Sequence, residues 1–462
     1  MTTALAASVC LAAPAAEAQF GGARGRLYQN AKVITPSGNV REVNMMVAGP
    51  SVMQIGPDVA GSPFGPKTDL EGRFVTPGLI DAASSILLQG GFGTSGTAAT
   101  SRASDAIDVF DDLAIRDAWR NGVTSVFVPA VGQPGIAGKG ALVRLTPTAT
   151  IEDDEAALCI RLDGASASER LAVFAEVREA FRQAKLLRES RDIYEGELED
   201  YEDELKKALE EWEKSQEEDP EGDDGGEDEA GDEDNGDDEP AQRTRSRRGP
   251  GAEDNENGDD GEGDDELPEG PEKPERPGPD PAADVLLEAI EGRLPVRILA
   301  HSSADITSAI ELAEAAGVEL TIVGGAESHL LAEELADAEG SVILTPAPDR
   351  FSHIDAAARI STLLDHDIDL CVGSGFDSAS GGRFVLLQAQ WLGADERDSL
   401  ALVTRDAAGV LGAPTWGRLG QGLNADFVVW SSDPRLGGAQ PYQVYVAGEL
   451  VWESPNAGEG DS

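Results

Sequence analysis

Histidine and cysteine are scarce in this sequence, which has four histidines and three cysteines in 462 residues. The cysteines form no CxxC pair, which excludes the paired-cysteine metal and redox motifs. Cys159 and Cys371 lie in apolar runs typical of strands, and we expect both to be buried free thiols. The histidines are His301, His329, His353 and His366. We expect the last three at the surface, because each lies at the edge of a predicted helix.

Basic residues are also few. The chain has 36 Lys and Arg against 87 Asp and Glu, a formal net charge of −51. A nucleic-acid binder needs basic surface to neutralise phosphates, so this class of function is excluded. Acidic residues concentrate in 217–281, which has almost no apolar side chains. Such a segment cannot offset the entropy cost of ordering, and we predict a disordered acidic insert there.

Long hydrophobic runs are absent as well. No stretch reaches the roughly 20 apolar residues that a transmembrane helix needs, so we expect no membrane-spanning segment. Residues 1–18 are apolar and short, and they end in Ala16-Glu17-Ala18, which matches the small-x-small cleavage site of a secretory signal peptide. This pattern predicts a secreted or periplasmic protein.

The sequence does contain two β-rich ends around a long α/β middle. Short apolar runs separated by Pro and Gly turns fill 19–75 and recur in 421–453, and we predict that both ends build one small β-sandwich. Between them, 76–216 and 282–420 alternate helical and apolar strand patterns, which is typical of parallel β/α units. In this number, such units favour a closed (β/α)8 TIM-like barrel.

A long charged helix is predicted over 168–217. Apolar residues recur along it at alternating spacings of three and four, from Phe174 to Trp212. This seam packs either on the barrel or on itself, or else against a coiled-coil partner. The pattern alone leaves these alternatives open.

Three stretches carry a family resemblance. Val75–Ser85 reads VTPGLIDAASS, Arg120–Leu145 contains a glycine-rich loop leading into a strand, and Leu419–Glu453 forms a β-rich close. Together they resemble the imidazolonepropionase-like branch of the amidohydrolase superfamily. The resemblance implies a barrel whose mouth binds one or two divalent metals, such as zinc, and hydrolyses non-peptide carbon–nitrogen bonds. In such a site a metal-bound hydroxide attacks the substrate while an aspartate moves the proton.

The resemblance places the metal ligands at positions that are mostly substituted here. The first-strand His-x-His pair falls on Ala83 and Ser85, and a later histidine falls on Gly324. The bridging lysine falls on Arg144, which stays cationic and cannot be carboxylated. One imidazole is kept, at His301, which is the candidate metal ligand.

The final-strand aspartate falls on Gly375, unless a two-residue slip makes Asp377 its equivalent and the candidate catalytic residue. We expect Asp81 to make structural hydrogen bonds at the end of the first barrel strand.

The resemblance therefore predicts an amidohydrolase-like protein whose metal chemistry is lost or impaired, with a divalent metal such as zinc only if it is active. Two alternatives stay open. One is a non-catalytic protein that binds a small molecule or acts as a scaffold. The other is an active hydrolase with a rearranged site around His301 and Asp377.

Overall fold

The computed structural model describes residues 25–88, 99–130, 132–162, 166–217, 271–346, 348–351, 355–375, 398–436 and 438–455. The signal peptide predicted over 1–18, most of the predicted acidic insert, His353 and Asp377 lie outside these ranges. The chain divides into two compact units, Met1–Leu186 with Pro279–Ser462, and Leu187–Gly278.

Strands from both ends of the chain share one eight-stranded sheet. They are β1 (Arg26–Ile34), β2 (Val40–Ala48), β3 (Ser51–Gly56), β4 (Lys67–Asp69), β5 (Phe74–Pro77), β14 (Phe427–Trp430), β15 (Pro441–Val446) and β16 (Glu449–Glu453). The order is β16-β15-β14-β5-β1-β2-β3, with β4 beside β1. The antiparallel pair of β14 and β5 joins the two ends.

An aromatic cluster forms the centre of this terminal sheet. The ring of Tyr28 packs edge-on against Phe427 and against Tyr445, with centroids 5.2 Å apart in each pair. Phe427 and Tyr445 stack at 4.4 Å. Each such pair contributes about 0.5–1.5 kcal/mol beyond its buried area. Burial raises the pKa of Tyr445 to about 12. The cluster therefore ties the first strand to the last ones.

The middle of the chain forms the predicted eight-stranded barrel. Its strands are β6 (Leu79–Asp81), β7 (Val123–Val128), β8 (Gly135–Arg144), β9 (Thr150–Arg161), β10 (Val296–Ala300), β11 (Leu320–Gly324), β12 (Ser341–Leu344) and β13 (Leu370–Val372). They neighbour one another in chain order. Just beyond β6 and β13, Gly375 N donates to Ala83 O at 2.8 Å, and Ser84 bridges Gly375 in parallel. These contacts link the first and last strands.

One strand runs against the predicted parallel direction. β8 is antiparallel to both β7 and β9. The connections before and after β8 are only a few residues long, whereas a parallel crossover needs a dozen or more. Most of the glycine-rich stretch predicted as a loop is thus strand β8. Position 140 of this strand has room only for glycine, because an added Cβ would lie 2.4 Å from Phe127 Cζ.

Helices alternate with the strands of the middle segment in the described part of the chain. They are α1 (Asp112–Arg120), α2 (Ala167–Glu217), α3 (Pro281–Ile290), α4 (Ser303–Ala316), α5 (Ala332–Asp337), α6 (Ala356–Asp365), α7 (Asp398–Leu402) and α8 (Arg405–Leu411). The first part of α2 buries Val177, Phe181 and Ala184 within the barrel unit, which agrees with packing on the barrel. Lys185 Nζ also donates to Ala315 O at 2.8 Å. Within the described ranges, every helix is too short or too polar to cross a membrane.

The second unit contains the rest of α2 and an extended proline-rich segment. Three prolines of that segment, Pro271, Pro274 and Pro277, are half-buried, and the residues between them are exposed. A polyproline II helix has three residues per turn, so every third residue lies on the same face. The half-buried prolines follow this spacing. A coiled-coil partner for the apolar seam of α2 stays a prediction.

Candidate functional site at the barrel mouth

The carboxyl ends of the parallel strands meet at one end of the barrel. In the sheet register Ala300 pairs with Gly324, Gly324 with Leu344, and Leu344 with Val372. His301 therefore lies at the same end as Gly324. Ala83 follows β6 and reaches this end through its hydrogen bond from Gly375. The structure thus brings most of the predicted ligand positions together.

Asp81 holds the first and last strands together, as expected from the sequence. Its side chain accepts hydrogen bonds from Ser374 N at 2.7 Å and from Ser374 Oγ at 2.6 Å. A longer bond of 3.4 Å comes from Ala83 N. The carboxyl is fully buried, and this burial raises its pKa from 3.8 to about 6, although the hydrogen bonds from Ser374 oppose the rise. Asp81 is therefore a structural residue, because its hydrogen bonds join the end of β6 to Ser374 beyond β13.

The first-strand ligand position lies directly against the chain that follows β13. A Cβ added at Gly373 would lie 2.5 Å from Ala83 N and 2.8 Å from Ala83 Cβ. Real Cβ atoms do not approach other atoms this closely. The chain just past β13 therefore presses directly on the residue that replaces the first histidine, and both residues are buried.

The later ligand position is filled by His301 itself. A Cβ at Gly324 would lie 2.6 Å from His301 Cε1 and 2.9 Å from both ring nitrogens. Gly324 also has φ of +103°, a backbone conformation that side chains rarely adopt. The imidazole is 7% exposed and stacks on Phe351 with ring centroids 6.2 Å apart. The ring of His301 therefore occupies the space that a histidine side chain at position 324 would need.

The loop after β11 also stabilises the backbone around His301. Glu327 N donates to His301 O at 2.9 Å, and Glu327 Oε2 accepts from Ser303 N at 2.6 Å. The carboxylate thus binds an amide at the start of α4, where the helix dipole favours negative charge. This contact fixes the backbone of His301 relative to the next strand.

The prediction that Arg144 marks the bridging-lysine position is wrong. Because β8 is antiparallel, Arg144 at its end pairs with Ser125, near the start of β7. It lies at the opposite end of the barrel from His301. Arg144 Nε is 3.2 Å from Glu152 Oε1 and 3.6 Å from Asp426 Oδ2. Since Asp426 directly precedes β14, this residue ties the barrel to the terminal sheet.

The other described histidines do not join the mouth. His366 is exposed, as expected, and its Nδ1 is 2.8 Å from Thr362 O. His329 is half-buried instead of exposed, and burial lowers its pKa, with Arg359 adding to the effect. In the described part of the chain no group of three His, Cys, Asp or Glu is placed to hold a metal ion. The described residues at the mouth therefore do not fit the metal centre implied by the resemblance.

Sequence reasoning missed a charged side chain inside the barrel. Arg297 on β10 is 2% exposed, and its guanidinium carbon lies 3.8 Å from the ring centre of Phe127. The signal was present in the strand sequence PVRILAH. Positions 297, 299 and 301 share one face of the strand, because side chains alternate with a period of two. The inward position of His301 therefore implied an inward Arg297.

Comparison with known proteins identifies the fold. The sequence matches no family model and none of the curated proteins. Among solved structures, an amidohydrolase from Thermotoga maritima MSB8 is similar over 93% of this chain and 100% of its own, with 20% identity and a TM-score of 0.67. A variant of the atrazine chlorohydrolase TrzN from Arthrobacter aurescens TC1, solved with zinc and atraton, matches with 13% identity and a TM-score of 0.44. At these identities the likeness concerns the fold alone.

Proposed function

Since the chain has the amidohydrolase fold, we propose that it has lost metal-dependent hydrolysis of carbon–nitrogen bonds and acts as a non-catalytic ligand-binding or scaffold protein. The observation that carries this proposal is the lack of room for a side chain at Gly324, because the ring of His301 occupies the space beside it.

The proposal rests on the chemistry of hydrolytic metal centres. Such a centre uses about three protein ligands and keeps a further position for water, whose pKa the metal lowers to about 7. The described mouth offers a single imidazole, His301, while Ala83 and Gly324 carry no donor side chains. A new side chain at Gly324 would strain the backbone and collide with His301. At Gly324, loss of the ligand is thus accompanied by loss of the space that its side chain would need.

A cavity elsewhere in the barrel unit favours ligand binding over a purely structural role. It has a volume of about 440 Å³ and lies between the residues that follow β7, the first part of α2 and the start of α3. Glu176, Gln183 and Gln133 are among its polar lining residues, and Ile136 and Leu286 are among its apolar ones. This size is typical of small-molecule sites. The polar groups favour a ligand that donates hydrogen bonds or carries positive charge.

Metal content tests the proposal. The purified protein is incubated with zinc, dialysed, and analysed by elemental mass spectrometry beside His301→Ala and His366→Ala. His366 is the matched control because it is an exposed histidine away from the mouth. We expect substoichiometric zinc in all three proteins and no zinc-dependent rise in melting temperature.

Zinc binding that depends on His301 would give the opposite result. Stoichiometric zinc that is retained by His366→Ala and lost from His301→Ala would overturn the proposal. It would favour an active hydrolase with a rearranged site around His301.

A further inference from the structure

The buried guanidinium of Arg297 lacks a counter-charge in the described part of the chain. Nη2 donates to Leu411 O at 3.4 Å, whereas Nε and Nη1 have no hydrogen-bond partner among the described residues. Burial lowers the pKa of Arg297 to about 10, so the side chain is still cationic at neutral pH. A buried cation without a partner destabilises the folded state. Its face-on contact with Phe127 offsets only part of that cost.

Neighbouring groups do not supply the missing negative charge. Two cysteines on nearby strands, Cys159 and Cys371, would favour the cationic form of Arg297 only as thiolates. Burial raises the pKa of Cys159 to about 11 and raises that of Cys371 further, so both are neutral thiols. Among the described residues, the carboxylate that acts on Arg297 is that of Asp153, which is exposed on the early part of β9. Its charge is therefore largely screened by water.

Arg297 lines a small cavity just below the mouth. Its volume is about 20 Å³, and its walls include Phe127, Cys159, Arg161, Arg297, Leu299 and Val323. A cavity of this size holds one water molecule or one monatomic ion. A second guanidinium, that of Arg161, belongs to the same wall, and its Nη1 donates to Gly132 O at 3.1 Å. Two cationic side chains and apolar neighbours thus surround a space for a single small particle.

We propose that this cavity is a binding site for one halide-sized anion, such as chloride, held by the unpartnered N–H groups of Arg297. A water molecule could accept the same hydrogen bonds, but it carries no charge to balance the guanidinium of Arg297. The apolar walls of Phe127, Leu299 and Val323 suit a weakly hydrated monatomic ion better than a large oxyanion.

Melting of the full-length protein in different sodium salts tests the proposal. Chloride and bromide are compared with gluconate at equal ionic strength, because gluconate is too large for the cavity. We expect the halides to raise the melting temperature by about 2 °C or more, since an anion that binds only the folded state stabilises it. The effect should vanish in Arg297→Met. It should remain in Arg359→Met, where a buried arginine that does not line this cavity is replaced.

Bromide-soaked crystals of the unmodified protein give an independent measurement in case Arg297→Met fails to fold. An anomalous bromide peak between Arg297 and Arg161 supports the site. Equal melting in gluconate and halides, together with the absence of such a peak, overturns it. The result does not depend on whether the mouth binds zinc.

Discussion

Replacing Asp81 with asparagine should stabilise the protein above pH 6. The carboxylate is fully buried between the first and last barrel strands, and burial raises its pKa from 3.8 to about 6. Between these values the folded protein binds a proton that the unfolded chain has released. The free energy of unfolding therefore decreases as pH rises from about 4 to about 6.

The magnitude follows from the size of that rise in pKa. At roughly 1.4 kcal/mol per pKa unit, the ionised carboxylate costs the folded state about 3 kcal/mol at about pH 8. At about pH 5 the same linkage gives about half of that cost, because the folded carboxyl is then mostly protonated. Asparagine fits the same contacts. Its oxygen can accept from Ser374 N and Ala83 N, while its amide can donate to Ser374 Oγ.

Urea unfolding at about pH 5 and about pH 8 measures this effect. The free energy of unfolding of Asp81→Asn should exceed that of the unmodified protein by about 3 kcal/mol at the higher pH. At the lower pH the difference should be about half as large. The matched control is Asp58→Asn, which removes a negative charge from an exposed turn. We expect little change for that variant at either pH.

Two results would contradict the reasoning. A stability gain that is the same at both pH values would mean that Asp81 has no raised pKa. A loss of stability in Asp81→Asn at about pH 8 would mean that the charged hydrogen bonds from Ser374 outweigh the cost of burial.

Further predictions concern packing and a buried hydrogen bond. Gly140→Ala should destabilise the protein by about 1–3 kcal/mol because its Cβ would enter the ring of Phe127. Gly409→Ala, in an exposed turn of α8 with no atom near the added Cβ, should be neutral or stabilise by up to about 1 kcal/mol. Equal effects of the two changes in urea unfolding would refute the packing argument. Trp119→Phe should cost about 1–3 kcal/mol, since Leu145 O would lose the buried donor Trp119 Nε1 at 2.8 Å. Unchanged stability of that variant would contradict this estimate.

The barrel was predictable because its signals are local. Apolar strand runs such as Val296–Ala300 and Ser341–Leu344 are bounded by turn residues and alternate with helices. The start of α4 was also encoded locally, since Ser302 caps it by accepting from Asp305 N at 3.2 Å. The resemblance then located His301 and Gly324 at strand ends, where the structure places both.

The direction of β8 was not recognised, although the chain contains its signal. Only a few residues connect Arg144 to Thr150, too few for a parallel crossover. The glycine content of the preceding stretch suggested a loop instead. Gly140 is there because of the distant Phe127 ring, and such a contact has no local pattern.

The sequence alone determined which donor groups are missing, because Ala83, Ser85 and Gly324 carry no imidazole wherever the chain places them. It also determined the strand and helix order, since periodicity and caps act over a few residues. Only the tertiary structure decided that Gly373 closes on Ala83. It likewise decided that, in the described part of the chain, the guanidinium of Arg297 lies beside a small cavity and not beside a carboxylate. These are contacts between distant strands, and their distances depend on barrel closure and register.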